Sequence, residues 1–142
     1  MEKNDFIEKV TKAINEHDAG TFASLFAEGA TAHDPFYPDP LKGRKEIEKD
    51  MEIFFTAFPD LRGEVINVLA SGSWIAAEFE MTGTNDGQLD SPAGALPATG
   101  KKVKFEVASF VKLDENGLVV ENRRYYNVAA ILQQLGIQSE SV

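Results

Sequence analysis

At 142 residues and 15.6 kDa, the chain has the length of one globular domain, and its 43% of apolar residues are enough to form a core. Its 23 acidic residues outnumber its 14 basic ones, and the formal charge of −9 disfavours nucleic acid and anionic membranes as partners. With no cysteine and two histidines, the sequence predicts no disulfide, no thiolate nucleophile and no metal site. We recognise no signal peptide and no long apolar run, so the expected location is the cytoplasm.

The first part of the chain predicts three helices. Apolar residues at helical spacing indicate helices over 5–18 and 44–58, with a short helix over 21–26 between them. A brief strand is expected at 30–33, followed by a loop over 34–40 whose three prolines exclude a helix. The third helix carries a broad apolar face formed by Ile47, Met51, Phe54, Phe55 and Phe58.

The second part predicts four long antiparallel strands. Residues 65–70 and 74–82 flank one hairpin turn, and residues 103–113 and 118–126 flank another. The strand over 103–113 is apolar on both faces in its later half, so one face needs a cover beyond the helices. We therefore predict a homodimer formed mainly through the sheet.

This order of elements predicts a single α+β domain over residues 1–142. A curved antiparallel or mixed sheet packs against the three N-terminal helices as a cone, and a short helix over 128–135 follows the last strand. The intervening residues 85–100 are rich in Gly, Pro and Ala, and we expect them to form a mobile lid over a pocket mouth. The pocket walls are expected to include the aromatic side chains of Phe54, Phe55, Phe58 and Trp74.

Several short motifs occur in an order that resembles a known family. They are His33-Asp34-Pro35, Gly43-Arg44, Pro59-Asp60-Leu61, Gly83-Thr84-Asn85-Asp86-Gly87, Pro97-Ala98-Thr99-Gly100-Lys101-Lys102-Val103 and Leu132-Gln133-Gln134-Leu135-Gly136. Over residues 6–137 the chain resembles the SnoaL-like polyketide cyclases of the nuclear transport factor/ketosteroid isomerase-like superfamily. The resemblance implies a usually dimeric α+β cone without a cofactor, whose apolar cavity binds a small apolar carbonyl compound. The implied activity is intramolecular aldol closure, or an isomerisation.

An aldol closure needs a base that removes a proton beside a carbonyl group, and donors that stabilise the enolate. The resemblance implies an acidic residue at the position of Asn127, which does not titrate. Asn127 could donate a hydrogen bond to the ligand, or it could only cap the last helix. Asn85 and Asn122 stand where relatives often carry histidine, and we count both as pocket candidates.

Proton transfer would then depend on His33, Asp34 or a strand glutamate such as Glu106. Each has a structural alternative: His33 could bond the loop backbone, Asp34 could shape the turn before proline, and Glu106 could be solvated. Ketosteroid isomerases place their general base in the region of Asp34, which is an architectural analogy.

The last strand adds one arginine and one tyrosine to the candidates. Arg123 and Arg124 leave the strand on opposite faces, as do Tyr125 and Tyr126, so one of each pair can face a pocket. Our candidates are Arg124, which could bind an anionic group or pair with a carboxylate, and Tyr126. The sequence thus favours a cofactor-free cyclase or isomerase. The alternatives are a non-catalytic binding protein and a dimeric interaction domain on the same fold.

Overall fold

The computed structural model describes residues 3–137, which form helices and strands joined by turns and loops. Four helices occur there: α1 (Lys3–Asn15), α2 (Ala19–Ser24), α3 (Gly43–Ala57) and α4 (Val128–Gln134). The strands are β1 (Phe26–His33), β2 (Leu41–Lys42), β3 (Arg62–Ser71), β4 (Trp74–Thr84), β5 (Leu89–Ser91), β6 (Gly94–Leu96), β7 (Lys102–Leu113) and β8 (Val119–Tyr125).

Six of the strands form one curved, open sheet in the order β2-β1-β8-β7-β4-β3. Neighbouring strands are antiparallel except β1 and β8, which run parallel, so the sheet is mixed. Strands β5 and β6 form a separate small hairpin. The predicted α+β fold, with a curved sheet and N-terminal helices packed against it, is confirmed.

Alternating side chains give the sheet a concave face under the helices and a convex face on the other side. Phe79 and Met81 of β4 and Val103 of β7 are buried on the concave side. Helix α1 packs against β3, and α3 packs against β1 and α2. Apolar side chains of these helices complete the core; Phe6 and Ile47, for example, are 1% and 0% exposed.

Strand β1 is longer than the sequence predicts. Its partner strand β8 lies far away in the chain, so local sequence patterns do not reveal the pairing. We expected a helix over 21–26 and a strand over 30–33, whereas α2 ends at Ser24 and β1 begins at Phe26. The segment Phe26–His33 contains Gly29 and three alanines, which have low strand propensity. β1 pairs in parallel with β8, and Phe26 is in register with Val119. The hydrogen bonds to β8 stabilise a strand that the local sequence does not favour.

Residues 85–100 are fastened at their base by the side chain of Asn85. The Asn85 amide nitrogen donates to the carbonyl oxygens of Ala57 (3.2 Å) and Gly87 (2.8 Å). Its amide oxygen accepts from the backbone N–H (3.0 Å) and the hydroxyl (2.9 Å) of Thr99. Asn85 is 1% exposed, and Leu89 of the hairpin is equally buried. The amide of Asn85 therefore holds the two ends of the segment together and joins them to α3.

Gly87 passes so close to the end of α3 that a side chain would not fit. A Cβ atom at this position would lie 1.9 Å from the carbonyl oxygen of Thr56, a backbone atom that cannot rotate away. We expect Gly87→Ala to lower the free energy of unfolding by about 1–3 kcal/mol, the usual cost of overpacking. Urea denaturation measures this loss. Gly29→Ala is the matched control, because no atom lies within 4 Å of its added Cβ. Equal stability of the two variants would contradict the prediction.

Candidate active site

A cavity of about 130 Å³ lies between the helices and the concave face of the sheet. Its walls are mostly apolar and come from α1, α2, α3, β4, β7 and the segment after α3. The apolar lining residues are Val10, Ile14, Phe22, Met51, Phe54, Leu61, Phe79, Met81, Phe105 and Val107. A polar cluster that includes two carboxylates and one guanidinium group also lines this cavity.

The two carboxylates belong to Asp34 and Asp50, whose positions follow from the periodicity of their elements. Asp34 directly follows β1, in which Ala30 and Ala32 alternate on the concave side, and the alternation continues to Asp34. Asp50 lies on α3, three residues after the fully buried Ile47. Asp34 is 9% exposed and Asp50 is 2% exposed, so both carboxylates are removed from bulk water.

Arg124 of β8 joins the two carboxylates. Its Nη1 atom lies 2.8 Å from Oδ2 of Asp50 and 3.1 Å from Oδ2 of Asp34. Its Nε atom donates to Oδ1 of Asn122 at 2.8 Å, and the Asn122 amide donates in turn to the Ser109 hydroxyl at 2.9 Å. The arginine side chain is 10% exposed, so these contacts hold a buried charge in one orientation.

Two tyrosine hydroxyls complete the cluster, one on each carboxylate. Tyr37 donates to Oδ1 of Asp50, and Tyr126 donates to Oδ1 of Asp34, each at 2.6 Å. Burial raises the pKa of both phenols far above the usual range, and the neighbouring carboxylates raise it further. Both hydroxyls therefore stay protonated at neutral pH and act as donors.

Burial and the neighbouring charges shift the pKa values of Asp50 and Arg124. Burial raises the pKa of the Asp50 carboxyl; Arg124 acts against this and Asp34 adds to it, with a net upward shift. Burial acts to lower the pKa of the Arg124 guanidinium, but the two carboxylates outweigh it and raise the pKa. Arg124 is therefore a permanent cation, while Asp50 keeps its proton to a higher pH than an ordinary aspartate. A carboxyl group that titrates closer to neutral pH inside an apolar cavity is suited to general acid–base chemistry.

Sequence comparison places the chain in a family. Its sequence matches the SnoaL-like polyketide cyclase family over residues 4–135. The chain belongs to the SnoaL-like polyketide cyclase family. No curated protein sequence matches it.

Several solved structures share the fold of this chain. AclR from Streptomyces galilaeus, a proposed hydroxylase, is 22% identical with a TM-score of 0.80, over 94% of this chain and 95% of that one. IdmH from Streptomyces antibioticus, a proposed polyketide cyclase, is 22% identical with a TM-score of 0.75, over 96% of this chain and 100% of that one. A proposed SnoaL-like polyketide cyclase from Jannaschia sp. CCS1 is 19% identical with a TM-score of 0.77, over 96% and 95% of the two chains.

Five of the residues that the sequence proposed for the site of this SnoaL-like protein line the cavity. They are Asp34, Phe54, Asn122, Arg124 and Tyr126. Four of them belong to the polar cluster, and Phe54 lies in the apolar wall. Asn122 contacts Arg124 directly and fixes its orientation.

Three other predicted site residues lie on the convex face of the sheet. His33 is in register with Arg123, whose side chain leaves β8 on the side opposite to Arg124. Glu106 is exposed and in register with Glu80 of β4, and Trp74 is in register with Lys112. The alternation of side chains along each strand therefore separates all three from the cavity.

Phe55, Phe58 and Asn85 also lie outside the cavity lining. The Phe55 ring stacks on His17, with ring centroids 4.5 Å apart, beside a separate groove between α3 and the connection from α1 to α2. Phe58 is 1% exposed and belongs to the core. All hydrogen bonds of Asn85 described above bind neighbouring backbone and Thr99. The structure describes every residue in 85–100, and none of them lines the cavity. The segment therefore does not form the lid that the sequence predicted over the pocket mouth.

Asn127 caps α4 and does not line the cavity. Its side-chain oxygen accepts the backbone N–H of Ala130 at 3.0 Å, and the residue is exposed. Of the two roles that the sequence allowed for Asn127, ligand contact or helix cap, the structure shows the cap.

We expect Asn127→Ala to lower the free energy of unfolding by about 1 kcal/mol, because the cap is lost. Asn127→Asp should change it by a few tenths, since aspartate caps almost equally well. Urea denaturation measures both. A higher ring-closing or enolising activity in Asn127→Asp than in the wild type would contradict this placement outside the site.

Asp50 and Tyr37 are site residues that sequence reasoning missed. A signal for Asp50 was present: it lies three residues after Ile47 and four before Phe54, within the apolar face of α3. A carboxylate at such a position is either costly or functional. Tyr37 lies in the proline-rich loop, where no periodicity predicts which way its side chain points.

Residues 3–137 contain neither a metal-binding cluster nor a membrane-spanning helix. Within them, no group of three or more His, Asp or Glu side chains is placed to hold a metal ion. The helices in this range are too short or too polar to cross a membrane.

Proposed function

We propose that this SnoaL-like protein is a cofactor-free cyclase that closes a ring in a small apolar carbonyl compound by intramolecular aldol addition. The observation that carries the proposal is the pair of buried carboxylates, Asp34 and Asp50, on one nitrogen of Arg124. One guanidinium between two buried carboxylates leaves an excess negative charge, which a single proton removes. The raised pKa of Asp50 favours that proton on Asp50.

The pair then offers one base and one acid. In the proposed reaction, the Asp34 carboxylate takes a proton from the carbon beside a carbonyl group, and an enolate forms. The enolate carbon attacks the second carbonyl carbon, and Asp50 donates its proton to the new alkoxide oxygen. Substrate and product are isomers, and the carboxyl pair still holds one proton when the bond has formed. Proton transfer by positioned side chains suffices for these steps.

The apolar walls support a substrate with little polar surface. Aromatic and aliphatic side chains on the helices and the concave sheet surround the cavity with material of low dielectric constant, which strengthens the electrostatic interactions inside it. A compound with two carbonyl groups on a hydrocarbon frame matches both the walls and the polar cluster.

The proposal is tested with 2,6-heptanedione, whose internal aldol addition gives 3-hydroxy-3-methylcyclohexanone. Proton NMR in deuterated water follows both exchange at the carbons beside the carbonyl groups and ring closure. We expect both to be faster with the protein than in buffer. Asp39→Asn is a matched control, because it changes an exposed carboxylate in the loop after Asp34 and should keep full activity. Binding of the diketone without exchange or closure would favour a non-catalytic binding protein.

We also propose that the protein forms a homodimer through the convex face of the sheet. Leu69 is 70% exposed there, and Phe110 and Tyr125 are 42% and 54% exposed. The Phe110 and Tyr125 rings contact each other edge to face, with centroids 6.1 Å apart. A cluster of exposed aromatic and aliphatic side chains on a sheet is typical of an interface.

Sedimentation velocity at micromolar concentration should show a dimer for the wild type and a monomer for Phe110→Glu, because a charge at the centre of an apolar interface is costly. Gln88→Glu adds the same charge at an exposed position of residues 85–100 and should remain a dimer. A monomeric wild type would contradict the proposed assembly.

A further inference from the structure

One nitrogen of Arg124 has no hydrogen-bond partner. The Nε atom is bound by Asn122, and Nη1 is bound by Asp34 and Asp50. The remaining Nη2 atom is buried and lacks an acceptor among residues 3–137. Buried side-chain donors nearly always have a partner, and a charged donor without one is especially costly. Arg124 therefore has an unused donor at a residue that lines the cavity.

We infer that the substrate carries a carbonyl oxygen that accepts a hydrogen bond from Nη2 of Arg124. This inference rests on the proposed function, because it takes the cavity as the substrate site. A carbonyl oxygen gains negative charge as the adjacent carbon loses its proton. A fixed cationic donor stabilises that charge more strongly in the transition state than in the ground state. Arg124 would then hold the two carboxylates with one nitrogen and the reacting oxygen with the other.

The charges of the cluster indicate a neutral substrate. When Asp50 is protonated, the charge of Asp34 balances that of Arg124. A substrate with its own carboxylate would bring an uncompensated charge into a mostly apolar cavity. A neutral ketone brings an acceptor without that cost.

The size of the cavity limits the substrate further. A cavity of about 150 Å³ holds one benzene molecule, and this cavity has about 130 Å³. The part of the substrate that it encloses is therefore about one six-membered ring. The reacting part of the substrate is therefore a neutral dicarbonyl segment that closes one six-membered ring inside the cavity.

The experiment uses 3-methylcyclohex-2-enone, a neutral one-ring ketone, and 1-methylcyclohexene, which has a similar ring and no oxygen. Binding to the full-length wild type is measured by ligand titration, and the carbonyl stretch of the bound ketone by infrared difference spectroscopy. Proton–nitrogen NMR follows the guanidinium signals of Arg124. We expect the ketone to bind about ten-fold or more tightly than the hydrocarbon, as one hydrogen bond to a charged donor implies. Its carbonyl stretch should move to lower frequency, and the Nη2 signal should shift.

Arg124→Lys is the informative variant, because lysine keeps a cation beside the carboxylates and lacks the second terminal nitrogen. We expect the preference for the ketone to fall about ten-fold in this variant.

Several outcomes would overturn the inference without involving Arg124→Lys, should that variant not fold. They are an unchanged Nη2 signal at saturation, a carbonyl frequency equal to that in hydrocarbon solvent, and no saturable binding of the ketone. Binding with the expected shifts but no turnover of 2,6-heptanedione would refute the proposed catalysis and leave the inferred contact standing. Turnover of 2,6-heptanedione without the Nη2 shift would refute the inferred contact and leave the proposed catalysis standing.

Discussion

Asp50→Asn should lower the rate of ring closure on 2,6-heptanedione by about 10²- to 10⁴-fold, the usual contribution of a positioned general acid. The amide has the size of the carboxyl group but cannot give up a proton to the alkoxide. Its oxygen can still accept from Tyr37 or Arg124, so the cluster keeps most of its contacts. The rate is measured by NMR alongside Asp39→Asn. Retention of wild-type activity by Asp50→Asn would show that Asp50 is not the acid.

The pH dependence of both activity and stability gives a second readout of Asp50. Its pKa is raised in the folded protein, so activity that needs the protonated acid should fall as pH rises through that value. Between the ordinary aspartate pKa and the raised one, the folded state binds more protons than the unfolded state. The free energy of unfolding therefore decreases as pH rises through this window. Asp50→Asn should remove this part of the slope in urea denaturation, and an unchanged slope would contradict the assignment.

Arg124→Met should lower the free energy of unfolding by about 3–5 kcal/mol at neutral pH, because it leaves the buried Asp34 carboxylate without its cation and Asp50 without a hydrogen-bond donor. Asp34 and Asp50 have side chains that are 4% and 2% exposed, so water cannot replace the guanidinium group without a rearrangement. Urea denaturation at several pH values measures the loss. It should be smaller at acidic pH, where protonation removes the uncompensated buried charge.

Two variants test the cause of this loss. Arg123→Met removes the neighbouring arginine, whose side chain is 43% exposed and pairs with Glu121 on the convex side. It should cost at most about 1 kcal/mol, as exposed ion pairs contribute little. Adding Asp50→Asn to Arg124→Met should cost less than the sum of the two single substitutions, because the contact between the two residues can be lost only once. Strictly additive effects of the two substitutions would contradict the coupling between Arg124 and Asp50.

The sequence by itself determined the elements whose signals are local. The apolar spacing of Ile47, Met51 and Phe54 predicted α3, and the hairpin signals predicted the pairs β3–β4 and β7–β8, which the structure confirms. Alternation along β8 showed that one arginine of the pair 123–124 could face a pocket. These features depend on side-chain periods of 3.6 and 2, which can be read from neighbouring residues.

The cluster itself was decided by the tertiary structure. Parallel pairing of β1 with β8 sets Ala32 opposite Asn122, so the next residues facing the concave side, Asp34 and Arg124, meet although 90 positions separate them. Asp50 reaches the same arginine from α3, across 74 positions. Local periodicity can assign a face to each of these residues, but it carries no information on strand register or on which helix covers which strand. Those are fixed by burial of the whole core, and they alone bring two carboxylates onto one guanidinium nitrogen.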